Sequence, residues 1–206
     1  MRFEAEFVCS AATLAECPRW NRSEIALVGR SNVGKSSLLN ALTRQRNLAR
    51  ISKTPGCTRL LNFFAVGKER ALVDLPGYGY AKIAHREAER IASLIQEYLQ
   101  QRLALRVIVL LIDARRGPRD EELALVDHMR DPRWRSGHRP GLIIAATKSD
   151  KLKRDHRKSV SQLFEAVGDL PLFCSARTGE GLEQLRHRIL ELSSRADNQG
   201  AEDAVA

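Results

Sequence analysis

Several things are scarce in this 206-residue sequence, and each scarcity excludes something. There are only four cysteines (Cys9, Cys17, Cys57, Cys174), with no C-x-x-C pair and no zinc-type spacing. That argues against a disulfide framework or a metal cage and for reduced thiols. None of the five histidines falls at i, i+4 beside a carboxylate in the manner of a metalloprotease helix. The longest apolar run, Val107 to Ile112, is far too short to span a bilayer. The opening stretch, Met1 to Cys17, carries Glu4, Glu6 and Glu16 and lacks the basic start and apolar block of a secretory signal. A soluble, cytoplasmic chain with no membrane partner is the expectation. Acidic residues are also in the minority, 25 against 34 Lys and Arg, and the net charge of +9 favours a polyanionic partner.

The remaining composition, 43% hydrophobic and 29% charged, is that of an ordinary globular domain. Short unbroken apolar runs, Ile25 to Val28, Ala71 to Val73, Val107 to Ile112 and Leu142 to Ala146, read as strands buried on both faces. Between and after them, Ile91, Leu94, Ile95, Tyr98 and Leu99, and then Leu182, Leu185 and Ile189, follow helical spacing. Leu60 to Val66, Gly67-Lys68 and Ala71 to Asp74 suggest one antiparallel hairpin at a sheet edge. The alternation predicts an α/β fold: a three-layer α/β/α domain with a mostly parallel six-stranded sheet and one antiparallel edge strand. Residues 1–22 read as an extension packing on a domain at 23–193, and 194–206 as a frayed tail.

Gly29-Arg30-Ser31-Asn32-Val33-Gly34-Lys35-Ser36 fits G-x-x-x-x-G-K-[ST], between a strand ending at Val28 and a helical run from Ser37. Such a loop turns its amides toward a phosphate at a helix N-terminus. Lys35 would reach the β- and γ-phosphates, and the Ser36 hydroxyl would ligate Mg²⁺. Asp74-Leu75-Pro76-Gly77 is a D-x-x-G ending an apolar strand, placed to hold Mg²⁺ through water and to offer the Gly77 amide to the γ-phosphate. Thr147-Lys148-Ser149-Asp150 fits [NT]-K-x-D. The Asp150 carboxylate can accept from guanine N1–H and N2–H₂, whereas adenine would leave it facing a lone pair, so guanine is favoured. Phe173 and Cys174 lead into Ser175-Ala176-Arg177, which matches an S-A-K element with Arg in the third position.

These elements, in this order, resemble a small Ras-like P-loop GTPase of the TrmE-Era-EngA-EngB-septin-like group. Ser52-Lys53-Thr54-Pro55-Gly56-Cys57-Thr58, Asn62-Phe63-Phe64 and Asp74 to Ala81, with its Tyr78-Gly79-Tyr80, look like the EngB (YihA/YsxC) family of bacterial ribosome-biogenesis GTPases. The resemblance covers about Phe7 to Leu192. It implies that Thr58 is the switch I Mg²⁺ ligand, with Thr54 as rival, and that Gly56, Cys57, Thr58, Arg59 and Leu60 line the nucleotide. It further implies a monomer that cycles between GTP and GDP, assembles the large ribosomal subunit and is needed for normal cell division and septation.

Tyr78 stands where Ras-type enzymes carry a water-orienting glutamine, so slow intrinsic hydrolysis is expected. Arg30, Arg50 and Arg59 are the nearby arginines. Asn32 has two readings: a ligand for K⁺ against the phosphates, or a plain loop hydrogen-bonder. From Arg130 to Lys158, ten basic residues meet three acids. The segment Arg133-Trp134-Arg135-Ser136-Gly137-His138-Arg139 reads either as a phosphate-contacting, base-stacking RNA surface or as a solvated loop with Trp134 packed on the domain. A P-loop kinase or ATPase would share the phosphate loop but not Thr147 to Asp150. A GTP-gated module acting on a protein partner stands as the other alternative.

Overall fold

The computed structural model describes residues 3–49, 59–79, 84–131, 133–135, 138–152, 157–168 and 170–202. Seven strands, β1 (Ala5–Ala11), β2 (Ser23–Gly29), β3 (Leu61–Val66), β4 (Arg70–Asp74), β5 (Leu105–Asp113), β6 (Gly141–Thr147) and β7 (Leu172–Cys174), form one sheet in the order β1-β3-β4-β2-β5-β6-β7. Among the described residues, five α-helices flank it: α1 (Lys35–Thr43), α2 (His85–Gln101), α3 (Asp120–Arg130), α4 (Arg157–Leu163) and α5 (Leu182–Glu202). The β2–β4, β2–β5, β5–β6 and β6–β7 pairs are parallel. Strand β3 is antiparallel to both of its neighbours, β4 and β1. The three-layer α/β/α architecture is therefore the expected one, with two differences. The sheet has a seventh strand, because Ala5–Ala11 from the N-terminal extension pairs on β3, and the antiparallel β3 lies inside the sheet rather than at its edge. The stretch from Ser194, which reads as a frayed tail, continues α5 as far as Glu202.

Burial explains the two-faced core. Every residue of β2 is buried. Ala26 and Val28 point with Ile108, Leu110 and Ile112 toward the face covered by α2 and α3. Ile25 and Leu27 point with Val107, Val109 and Leu111 toward α1 and α5. Alternation within continuous apolar runs is what a helix-covered parallel strand requires. The carboxyl ends of β2, β4, β5, β6 and β7 line one rim of the sheet, and Gly29 to Ser36, Asp74 to Gly77, Thr147 to Asp150 and Ser175 to Arg177 all sit at or just beyond that rim, where open α/β sheets form their ligand crevice. Among the described residues, no helix is long and apolar enough to cross a membrane.

Candidate functional site

Strand β2 ends at Gly29, where the chain grazes β5; a Cβ there would meet the Leu111 carbonyl oxygen at 2.7 Å. The loop then turns through Asn32 at φ +60° and Gly34 at φ +112°, the latter capping α1. This lays the amides of the loop around a hollow at the α1 N-terminus, a ready anion seat. Lys35, only 8% exposed, curls back so that Nζ donates to the Gly29 carbonyl at 3.0 Å and the Arg30 carbonyl at 3.4 Å. Burial pushes its pKa down, and the nearby Asp74 carboxylate pushes it back up.

Asp74, at the tip of β4, is 2% exposed. Its Oδ2 accepts from Ser36 Oγ at 3.2 Å, while its Oδ1 is buried without a hydrogen-bond partner among the described residues. Burial raises the Asp74 pKa, against the opposing effects of Lys35 and the Ser36 hydroxyl. A buried carboxylate with an orphaned oxygen beside a serine hydroxyl is an oxygen donor set suited to a hard divalent cation such as Mg²⁺, which binds through few protein oxygens and keeps its waters. Beyond Asp74, Leu75 is fully buried, and the chain passes Pro76 to Gly77, where a Cβ would meet Ser31 Cα and N at 2.9 Å each. Of the expected switch I residues, Gly56, Cys57 and Thr58 lie outside the described residues, as do Thr54 and Arg50. Leu60 is half-buried, and exposed Arg59 approaches Glu87 at 3.9 Å. Arg30 pairs with Glu121 on α3.

At the far end of the rim, Thr147 Oγ1 donates to the Val33 carbonyl at 2.8 Å and to the Ile112 carbonyl at 3.2 Å, tying β6 to the phosphate loop. Lys148, at φ +59°, donates from Nζ to the Asn32 carbonyl at 2.6 Å and to Asp113 Oδ2 at 3.0 Å. Ser149 is fully buried and donates to Glu180 at 2.6 Å. The Asp150 carboxylate accepts from Ser175 Oγ at 2.8 Å and from the exposed Arg177 guanidinium at 2.8 Å, which hold its pKa below the ordinary carboxylate value. Ser175 Oγ also accepts the Arg177 and Thr178 amides at 3.2 Å each, fixing the turn past Phe173 and Cys174. Burial pushes the Cys174 thiol up to about 12, so it serves as apolar wall. A cleft of about 710 Å³ runs between α1 and these loops, lined by Gly34, Leu38, Lys148, Asp150, Cys174 and Ala176. It opens beside a phosphate seat at one end and a carboxylate acceptor at the other, dimensions and chemistry that suit a guanine nucleotide.

Four residues of this site carry no sequence signal. Asp113 anchors Lys148: burial opposes its ionisation, but hydrogen bonds from Arg115 and Lys148 outweigh that and hold its pKa far below the usual range. Glu180 braces Ser149. Gly181, at φ +70°, lies where a Cβ would meet the Phe173 carbonyl at 2.0 Å. Asn40 clasps Ala49 by both its amide hydrogen (2.9 Å) and its carbonyl (2.7 Å), fixing the chain that leads toward switch I.

The basic loop does not offer a stacking surface. Trp134 is buried and meets His128 edge-on at 6.1 Å. Arg135 is buried too, donating to the Leu99 and Arg102 carbonyls. Arg133 is tied to Asp131 at 2.8 Å. Packing the indole against α3 hides more apolar surface than an exposed loop would, so the packed reading replaces the base-stacking one; Arg139 stays exposed.

Comparison with known proteins agrees with this geometry. Residues 24–148 match the family described as "50S ribosome-binding GTPase". A "Probable GTP-binding protein EngB" of Pelotomaculum thermopropionicum is 45% identical over 186 residues, covering 88% of this chain and 91% of that protein. Another, of Anaeromyxobacter sp., is 42% identical over 211 residues, covering 96% and 93%. Among solved structures, a crystal structure of a probable GTP-binding protein engB superposes with a TM-score of 0.67 at 25% identity, covering 84% of this chain and 99% of that one.

Proposed function

The chain belongs to the EngB family of GTP-binding proteins and is a GTPase, and from that premise we propose that it is a nucleotide-gated assembly factor for the large ribosomal subunit. The observation that carries the nucleotide chemistry is a buried Lys35 near a buried Asp74 whose Oδ1 is orphaned beside Ser36. In this reading Gly29 to Ser36 wrap the phosphates, and Thr147 to Asp150 with Phe173 to Ala176 hold the base. Asp150 selects guanine, with the exposed Arg177 swinging aside to free its carboxylate. Ser36, Thr58 and, through water, Asp74 would hold Mg²⁺, which would neutralise charge developing between the β- and γ-phosphates.

Hydrolysis is slow because Tyr78 cannot orient the attacking water as a glutamine amide does. Asn32, with an exposed side chain and a left-handed backbone, would offer its amide oxygen to K⁺ beside the phosphates. Hydrolysis faster in K⁺ than in Na⁺, and equalised by Asn32→Ala, is the expected result.

The ribosomal role is supported by the description of the matched family and by the chain's excess of positive charge. We infer a cytoplasmic monomer that docks with GTP bound and departs after hydrolysis, and whose loss impairs cell division. Co-sedimentation with separated subunits tests it: pelleting with the large subunit with a non-hydrolysable GTP analogue but not with GDP is expected, weakening as salt rises. A second reading, a protein partner in place of RNA, is favoured by one observation, the burial of Trp134 and Arg135. Salt-insensitive binding would support it.

A further inference from the structure

Three contacts fasten the segment after Asp74 to its surroundings. The Ser31 N–H donates to the Tyr78 carbonyl at 2.9 Å, extending a parallel bridge between Arg30 and Tyr78. The Tyr78 hydroxyl donates to Glu122 Oε1 at 3.3 Å. Glu122 is 2% exposed and is itself fixed, its Oε2 accepting the Arg119 N–H at 2.9 Å at the start of α3. Arg30 pairs with Glu121, one residue earlier on that helix, and its guanidinium lies against Gly79, where an added Cβ would come within 2.9 Å of Cζ.

Between these anchors Gly77 is pressed onto the phosphate loop, so close that a Cβ would sit 3.0 Å from Lys35 Nζ. The ammonium that serves the terminal phosphates thus faces Gly77 and is satisfied by loop carbonyls. A diphosphate can enter while these anchors stay closed. A triphosphate needs the space in front of Lys35 and a Gly77 amide turned toward it, and so must move this segment. A ligand shifts such an equilibrium only by its differential affinity for the two states, so every contact holding the closed state weakens triphosphate binding and leaves diphosphate binding alone.

We propose that Arg30–Glu121 and Tyr78–Glu122 form a latch that sets the preference of this site for guanosine diphosphate over triphosphate, an inference that rests on the GTP reading above. The latch joins the switch to the N-terminus of α3, so release of one moves the other.

The test is fluorescence titration of the full chain with labelled GDP and a labelled non-hydrolysable GTP analogue, for wild type, Tyr78→Phe, Glu121→Gln and the double variant. Glu121 is half-exposed and Tyr78→Phe removes one hydroxyl, so both variants keep the fold, which thermal melting checks. The latch predicts that affinity for the triphosphate analogue rises about fivefold or more while GDP affinity stays within about twofold. An unchanged ratio in folded variants, or equal shifts for both nucleotides, overturns the latch. Failure of the wild type to bind GDP at all overturns the GTP reading itself, and the latch with it.

Discussion

A buried charge cluster lies beside each end of strand β2, and the two are built to opposite rules. At its start, Glu24 is fully buried and saturated: Arg102 donates from Nη2 at 2.5 Å and from Nε at 2.9 and 3.0 Å, the Tyr98 hydroxyl at 2.7 Å and the Trp20 indole at 2.8 Å. Arg102 adds a bond to the Pro18 carbonyl at 2.6 Å and lies over the Phe63 ring. Beyond the strand's other end, Lys35 at the start of α1 and Asp74 at the tip of the neighbouring β4 are buried too, yet Asp74 keeps an orphaned oxygen and Lys35 makes do with loop carbonyls. A saturated cluster locks the N-terminal extension, α2 and the sheet together. An unsaturated one stores unmet hydrogen-bonding and charge, which a nucleotide and its cation would satisfy. Stability and function are thus separated along one strand.

Removing the key group at each pole tests that separation. Glu24→Ala strands a buried guanidinium, a tyrosine hydroxyl and an indole, and should cost about 3–5 kcal/mol in urea unfolding, while the protein that remains folded binds GDP as before. Lys35→Ala should weaken GDP binding by about 30-fold or more by calorimetry, with a smaller loss of stability than Glu24→Ala.

Asp74→Asn should reduce Mg²⁺-supported GTP hydrolysis by about 100-fold and yet stabilise the nucleotide-free chain at neutral pH. The reason is in its protonation. Burial raises the folded pKa of Asp74, so above the ordinary carboxylate value the native chain holds a proton that the unfolded chain has lost. Its contribution to stability therefore falls as pH climbs through that window. The stability of wild type relative to Asp74→Asn, measured by urea unfolding in steps from about pH 4 to 7, should decline with pH; a rise would contradict the assignment. The smallest effect is expected at the exposed Arg44–Glu183 pair, where Arg44→Ala should change stability by less than about 0.5 kcal/mol and leave both poles intact.

The functional pole was far more legible in the sequence than the structural one. Gly29 to Ser36, Asp74 to Gly77 and Thr147 to Asp150 announce themselves because their chemistry fixes spacing within a few residues, and buried strands announce themselves by unbroken apolar runs. Glu24 and Arg102 are 78 residues apart, and nothing local distinguishes a buried, saturated glutamate from a surface one. The same holds for Asp113, whose partner Lys148 comes from the next strand. Strand β1 escaped because Ala5–Ala11 buries only its two ends fully and its register slips between Phe7 and Cys9, so no clean alternation survives. Trp134 carries two readings in the sequence, stacking or packing, because its neighbours are basic while its indole is apolar. The carbonyls of Leu99 and Arg102 that absorb Arg135 are visible only in three dimensions.

The measurement that bears most directly on this division of one strand into two poles is the urea midpoint with and without saturating Mg²⁺ and GDP, for wild type, Glu24→Gln and Lys35→Ala. Nucleotide should stabilise wild type and Glu24→Gln by the same increment and Lys35→Ala by about 2 kcal/mol less. A Glu24→Gln protein that loses the increment while Lys35→Ala keeps it would contradict the account.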